Sequence, residues 1–329
     1  MNNNRILLVT PYSLNHYGGV QNQVLLAKKY LLSKGYQVKI FAHGSYDYQN
    51  KKPILVPFNG SKARVSISYN RIEFEKAVDW CDILHIHEPF IPLIIWNIKT
   101  KKKIITTHHA TLSKNISFLL TILYKLFTKN LTIINTCVSK YSYDQANALR
   151  KKPKIIPNYI EINKIQKFNN NQFRLTFLGR SERRKGLDIF LKAVDSYLLN
   201  TLRPTVISNK KIKEVFIDSY VDVNNKQKND ILNETSIFVA PNTGAESFGM
   251  VLLEGISNGC LVISSDIEAF SDVLNESGIY FKNKNHNDLN RVIKETIDMD
   301  MQKLWETQIS HIRLYDVDRV FKMFLELYK

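Results

Sequence analysis

The chain has 329 residues, 44% apolar and 23% charged, with a formal charge of +16. That length exceeds what one hydrophobic core of ordinary size serves, so two domains are expected, and the balance is that of a soluble globular protein. The start shows no signal-peptide pattern, and the longest apolar region, residues 116–134, is too interrupted by Lys125, Lys129 and Asn130 to span a bilayer. In chain order, Arg5 to Thr10 reads as a buried parallel strand, and a loop with Gly18-Gly19 follows. A helix is expected from Val20 to Lys34, stopped by Gly35, and a second strand over Gln37 to Ala42. This order is a βαβ unit. Ile83 to His87 and Lys103 to Thr107 read as further strands, and Ile116 to Phe127 as an amphipathic helix with core packing or a membrane surface as its use. Leu131 to Ser139 supplies one or two short strands, and Ser139 is expected to cap a helix through Leu149. The Asn-rich stretch 163–172 reads as a linker.

A second α/β series begins at Phe173. It comprises a strand to Leu178, a basic loop from Gly179 to Gly186, a helix from Leu187 to Leu199, and short strands over Thr205 to Ser208 and Lys213 to Ile217. A helix over Asn224 to Asn233, a strand over Ser236 to Ala240, a helix over Phe248 to Asn258, a strand over Leu261 to Ser264 and a final helix over Val317 to Tyr328 complete it.

Four segments carry candidate chemistry. In Gly244 to Glu254, Glu246 precedes Gly249 at an expected helix start, where unpaired amides and the helix dipole suit a diphosphate. Glu254 lies about two turns further on a similar face, suited to ribose hydroxyls; a plain helix start with a solvated Glu is the alternative. Gly18-Gly19 lets backbone approach a phosphate or sugar, or makes a simple turn. The loop from Gly179 to Gly186 offers Arg180 and Lys185 as fixed cations at a strand's carboxyl end, or is a solvated basic loop. His85 and His87 share one strand face but lack the carboxylates of a metal site, so satisfied strand histidines are expected and no metal is. His109 follows a strand, at its carboxyl end. The three cysteines, Cys81, Cys137 and Cys260, show no ligand spacing and suit a reducing cytoplasm. The positive charge reflects anionic partners or a compositional bias; no nucleic-acid-binding motif accompanies it.

In order along the chain, Thr10-Pro-Tyr12-Ser, Gly18-Gly-Val-Gln21, Pro57 to Arg64, Leu84 to Pro89, Phe177 to Arg180, Arg184-Lys-Gly186, Gly244 to Glu254 and Ser265 to Phe270 resemble family 4 retaining glycosyltransferases of the GT-B fold. Within that family they are most similar to the phosphatidylinositol mannosyltransferases. The resemblance implies an α/β chain of two Rossmann-like domains facing across a cleft: an acceptor domain over 1–162 and a nucleotide-sugar domain over 173–314. Residues 315–329 would form a helix packing back on the first domain. It implies donor contacts from Gly19, Arg180, Lys185, Lys228, Glu246, Phe248, Gly249, Met250, Val251 and Glu254. It implies an acceptor site from Tyr12, Gln21, Asn59, Ser61 and Arg64, and places His109, Glu246, Arg180 and Lys185 at the reaction. The donor implied is GDP-mannose, with no further cofactor. The acceptor is a lipid such as phosphatidylinositol, reached peripherally at the anionic inner face of the cytoplasmic membrane. Departures from the pattern are a short, Lys-rich loop over Thr205 to Lys213, Asn158-Tyr159 for Asn-Gly, Phe58 for a common Tyr, and acids at Glu73, Glu75 and Asp79. A UDP-sugar with another lipid or polysaccharide, a nucleotide-binding protein that has lost catalysis, and a nucleic-acid binder fit parts of the same pattern.

Overall fold

A computed structural model of the chain describes residues 4–16, 18–58, 61–89, 98–110, 114–142, 152–162, 167–170, 173–214 and 216–329. It divides into two units, Met1–Glu161 with Val317–Lys329, and Ile162–Asp316.

The first unit is built on a parallel sheet. Its strands are β1 (Arg5–Val9), β2 (Gln37–Ala42), β3 (Tyr48–Gln49), β6 (Ile83–His87), β7 (Lys103–His108), β8 (Ile133–Cys137) and β9 (Lys154–Ile155), in the order β3-β2-β1-β6-β7-β8-β9; β4 (Ile54–Phe58) and β5 (Ser61–Val65) form a separate antiparallel pair. Alternation along β1 sends Leu7 and Val9 into one core with Phe41, Phe74, Leu84 and Ile86, and Ile6 and Leu8 into another. Burial on both faces is why this strand contains no polar residue between Ile6 and Val9. Helix α1 (Gly19–Ser33) ends where Gly35 adopts φ +83, and the Gly35 and Tyr36 amides donate to the carbonyls of Leu32 and Leu31. Helix α2 (Arg71–Trp80) is capped by the Asn70 side chain, and Lys102 Nζ donates to the Asp79 and Cys81 carbonyls at its other end. Helix α3 (Lys114–Phe127) buries Tyr124 and leaves Ile122, Leu126 and Phe127 41%, 66% and 48% exposed. The stretch 131–139 holds a single strand; the helix expected after Ser139 is seen over residues 140–142, and its expected remainder, 143–149, lies outside the described residues.

The second unit's strands are β10 (Arg174–Leu178), β11 (Arg203–Ser208), β12 (Asp218–Val221), β13 (Ile237–Ala240), β14 (Leu261–Ser265) and β15 (Ile279–Phe281), all parallel, ordered β12-β11-β10-β13-β14-β15. Its helices are α4 (Leu187–Ala193), α5 (Ser196–Thr201), α6 (Asn225–Asn233), α7 (Met250–Ser257), α8 (Glu268–Leu274), α9 (His286–Ile297) and α10 (Met301–Ile312). The closing helix α11 (Val317–Tyr328) belongs to the first unit, where Val320, Phe321, Phe324 and Tyr328 cover Ile6, Leu8 and Ile40.

Three sequence expectations change here. The helix expected over 187–199 is two helices, because Asp195 leaves the helical conformation and caps α5 through the Leu198 amide. The strand expected over 213–217 falls instead at β12, five residues later, where Ser219 and Tyr220 pair with Val206 and Ile207. The described part of the supposed linker, residues 167–170, is anchored inside the second unit. Asn169 Nδ2 donates to the carbonyls of Leu232, Thr235 and Asn258, and Phe168 packs 6.3 Å from Trp305.

Candidate active site

In the second unit the adjacent strands β10 and β13 both end in loops that carry charge. A one-turn 3-10 helix, Arg183–Lys185, follows β10 and stops at Gly186, whose φ is +71. A Cβ at Gly186 would stand 1.9 Å from the Pro241 carbonyl oxygen, so only glycine lets this loop close on the one after β13. The Thr243 amide donates to the Arg184 carbonyl at 2.8 Å and completes the junction. The second loop turns sharply: Gly244 has φ 141 and Ala245 φ 55, a conformation that strains a residue with a side chain.

Glu246 stands at the end of that turn. Its Oε1 accepts from Lys185 Nζ at 2.5 Å, Asn242 Nδ2 at 2.7 Å and Arg184 Nη1 at 2.8 Å. Asn242 is itself held by Ser265 Oγ, which donates to its carbonyl at 2.6 Å. Burial pushes the Glu246 pKa up, but the charges of Lys185 and Arg184 and the hydrogen bonds from Lys185 and Asn242 outweigh it and hold the group below its ordinary value. Glu246 is therefore an anion at neutral pH. It can face developing positive charge but has no proton to give. Arg184 also reaches Glu182 at 3.1 Å, whereas Arg180 is half exposed and pairs with Glu182 at 3.2 Å. Reading the sequence alone brought out Lys185, Arg180 and Glu246 but missed Arg184 and Asn242; the Arg183-Arg184-Lys185 run was the signal for the former.

Helix α7 begins one residue after Gly249, which caps it at φ +106. A Cβ there would come within 2.8 Å of Phe270. Met250 and Val251 form its first turn; Phe248 is buried edge-on against Tyr315 at 5.3 Å. Glu254 Oε2 accepts from Lys228 Nζ at 2.8 Å, with both side chains largely buried. Two residues 26 apart in sequence thus form one ion pair beside the helix start.

In the first unit the carboxyl ends of the neighbouring strands β1, β6 and β7 carry the loop with Tyr12, then Glu88, then His109. The loop after β1 is stitched to β5: the Ser13 amide donates to the Arg64 carbonyl, Ser66 to that of Pro11, and Tyr12 bridges to Val65. Gln21 folds back over Gly18 and donates to the Ser13 carbonyl at 3.3 Å, which occupies it in shaping the loop. Gly19 opens α1, and among the described residues nothing beyond its chain neighbours and the helix's own backbone lies within 4 Å of where a Cβ would stand. Ser61 is placed only as backbone in β5, and Asn59 lies outside the described residues. His109 is buried, and its Nε2 lies 2.9 Å from His87 Nδ1. Burial lowers the His109 pKa to about 4, with the Asn158 side chain opposing, so the ring is neutral. His85 is satisfied by Tyr328 at 2.6 Å and Thr107 at 2.7 Å. His87, expected to be satisfied like His85, instead has a buried Nε2 with no hydrogen-bond partner among the described residues, and Glu88 was not singled out from the sequence.

The comparisons match this architecture. The family described as Glycosyltransferase Family 4 matches residues 17–164, and Glycosyl transferases group 1 matches 172–299. The chain is 27% identical over 308 residues to the phosphatidyl-myo-inositol mannosyltransferase of Mycobacterium leprae, covering 84% of this chain and 82% of that one. It is 29% identical over 305 residues to the enzyme of that name from Propionibacterium freudenreichii, covering 83% and 80%. A glycosyltransferase crystal structure from Rickettsia africae superposes with a TM-score of 0.72 over 100% of this chain and 98% of that one, at 16% identity. Two parallel α/β units, matched in turn by the two halves of one enzyme family, leave one assignment: the chain belongs to the family 4 glycosyltransferases, retaining hexosyltransferases of the GT-B fold that use nucleotide-sugar donors.

Proposed function

We propose that the chain transfers mannose from GDP-mannose to a hydroxyl of a lipid-linked inositol, with retention at the anomeric carbon. The observation that carries the donor half is the cluster in which Arg184, Lys185 and Asn242 converge on Glu246. In this reading Lys185, Arg184 and Arg180 neutralise the diphosphate, and the dipole at the amino end of α7 adds to them. Glu246, kept ionised, faces the oxocarbenium-like sugar. The bond from the anomeric carbon to the diphosphate breaks with its electron pair going to the diphosphate oxygen. The acceptor oxygen bonds on the same face, and its proton passes to the departing oxygen. Glu254, oriented by Lys228, holds the ribose. Tyr12, Ser61 and Arg64 serve the acceptor headgroup.

Similarity to phosphatidyl-myo-inositol mannosyltransferases supports mannose as the sugar transferred and a phosphatidylinositol acceptor. Among the described residues no helix is long and apolar enough to cross a membrane. The exposed Leu126 and Phe127, beside Lys125 and Lys129, support peripheral contact with anionic lipid at the inner face of the cytoplasmic membrane. The test is incubation of the purified chain with a panel of GDP-, UDP- and ADP-sugars and phosphatidylinositol liposomes, with products read by mass. The expected product is a lipid heavier by one hexose, from GDP-mannose. Glu246→Ala and Lys185→Ala are expected to abolish it while remaining folded. Full activity in either variant, or transfer only from another donor, overturns the assignment.

A further inference from the structure

The end of β6 clamps the end of β7 through a residue held in strain. Glu88 adopts φ 60, a left-handed conformation that costs a residue with a side chain, and is buried. Its amide donates to the Thr107 carbonyl at 2.9 Å. Its Oε1 accepts from the amides of both His109 and Ala110. Beside it the rings of His87 and His109 lie edge to edge, centroids 5.2 Å apart and planes 20° from parallel, with Nδ1 of the first 2.9 Å from Nε2 of the second.

One proton must lie between those two nitrogens. His87 Nε2 is buried and has no hydrogen-bond partner among the described residues. If His109 were the donor, His87 would carry its proton on Nε2, an orphaned N–H in the interior. If His87 donates from Nδ1, only a lone pair is orphaned there, and orphaned buried N–H groups are the rarer and costlier case. His109 then accepts at Nε2 and carries its own proton at Nδ1. We propose that His87 and Glu88 are positioning residues that hold His109 as its Nδ1–H tautomer and fix the backbone turn on which it stands. Where the resemblance places His109 at the reaction, this tautomer leaves its ring with a proton at Nδ1 and its Nε2 lone pair taken by His87, so the ring is not a base there. Burial of His109 and His87, which disfavours a charge on either ring, agrees with the assignment.

The test needs no nucleotide sugar, so it fails separately from the proposed activity. In the full chain labelled with 15N-histidine, long-range proton–nitrogen spectra distinguish the tautomers, and His109→Gln identifies the signals of that ring. The expected pattern at pH 7.5 is the Nδ1–H form, shifting toward Nε2–H in His87→Leu. Glu88→Ala is expected to speed amide exchange at Ala110 by at least about tenfold, and Glu88→Gln, which keeps the acceptor oxygen, to restore protection. An Nε2–H pattern in the wild type overturns the proposal, as does an unchanged pattern in His87→Leu or unchanged exchange in Glu88→Ala. Should His87→Leu not fold, the wild-type pattern decides the question.

Discussion

Glu88→Gln should stabilise the first unit more as the pH rises. Burial lifts the Glu88 pKa from 4.5 to about 7, against the opposing pull of the His109 and Ala110 amides. The native state therefore keeps a proton that the unfolded chain has already released. The stability this contributes is complete below pH 4.5 and is lost as the pH climbs through 7. The rise from 4.5 to about 7 converts to about 3 kcal/mol. The glutamine variant cannot titrate, yet it keeps an oxygen for the two amides. Its stability relative to wild type should grow by about that amount, most of it between about pH 5 and 8. The groups packed around Glu88 change little in this window: burial keeps His85, His87 and His109 neutral, and the Tyr12 hydroxyl is held well above its usual range by burial and by Glu88 itself. The assay is urea unfolding followed by fluorescence in a Trp305→Phe background, where Trp80 and Trp96, both within the first unit's span of the chain, report alone. A gap between variant and wild type that stays constant with pH to within about 0.5 kcal/mol would show that Glu88 is not a buried, amide-bound acid.

Gly186→Ala should destabilise the second unit by at least about 2 kcal/mol, since the new Cβ meets the Pro241 carbonyl at 1.9 Å and the position has φ +71. Calorimetry of the whole chain reads this, and a wild-type profile would refute the close approach of the two loops. Tyr328→Phe removes the hydroxyl 2.6 Å from His85 Nδ1 and should cost about 1–2 kcal/mol in urea unfolding of the first unit. An unchanged midpoint would mean that the contact with His85 contributes nothing to holding α11.

Much of the architecture was legible in the residues because it follows from local rules. Unbroken apolar runs at 6–9, 237–240 and 261–263, too short for helices of ordinary length, read as strands buried on both faces, and Gly35 ends a helix by supplying the conformation that its terminus requires. Glu246 and Glu254, the acids of the proposed donor site, were legible for a similar reason: both lie within one short turn and helix. What failed were the local choices that tertiary context overrode. Asp195 could have continued a helix but caps the next one, and the second sheet took residues 218–221 as its edge strand because they pair with β11. The partners of the charged groups were beyond reach for a different reason. Lys185 and Arg184 meet Glu246 across 61 and 62 residues, and Glu88 grips an amide 21 residues away, because β10 lies beside β13 and β6 beside β7. Strand order fixes those neighbours, and strand order is a property of the packed sheet: period and propensity specify which segments become strands, while the order in which they pair is decided by the burial that the whole chain achieves at once.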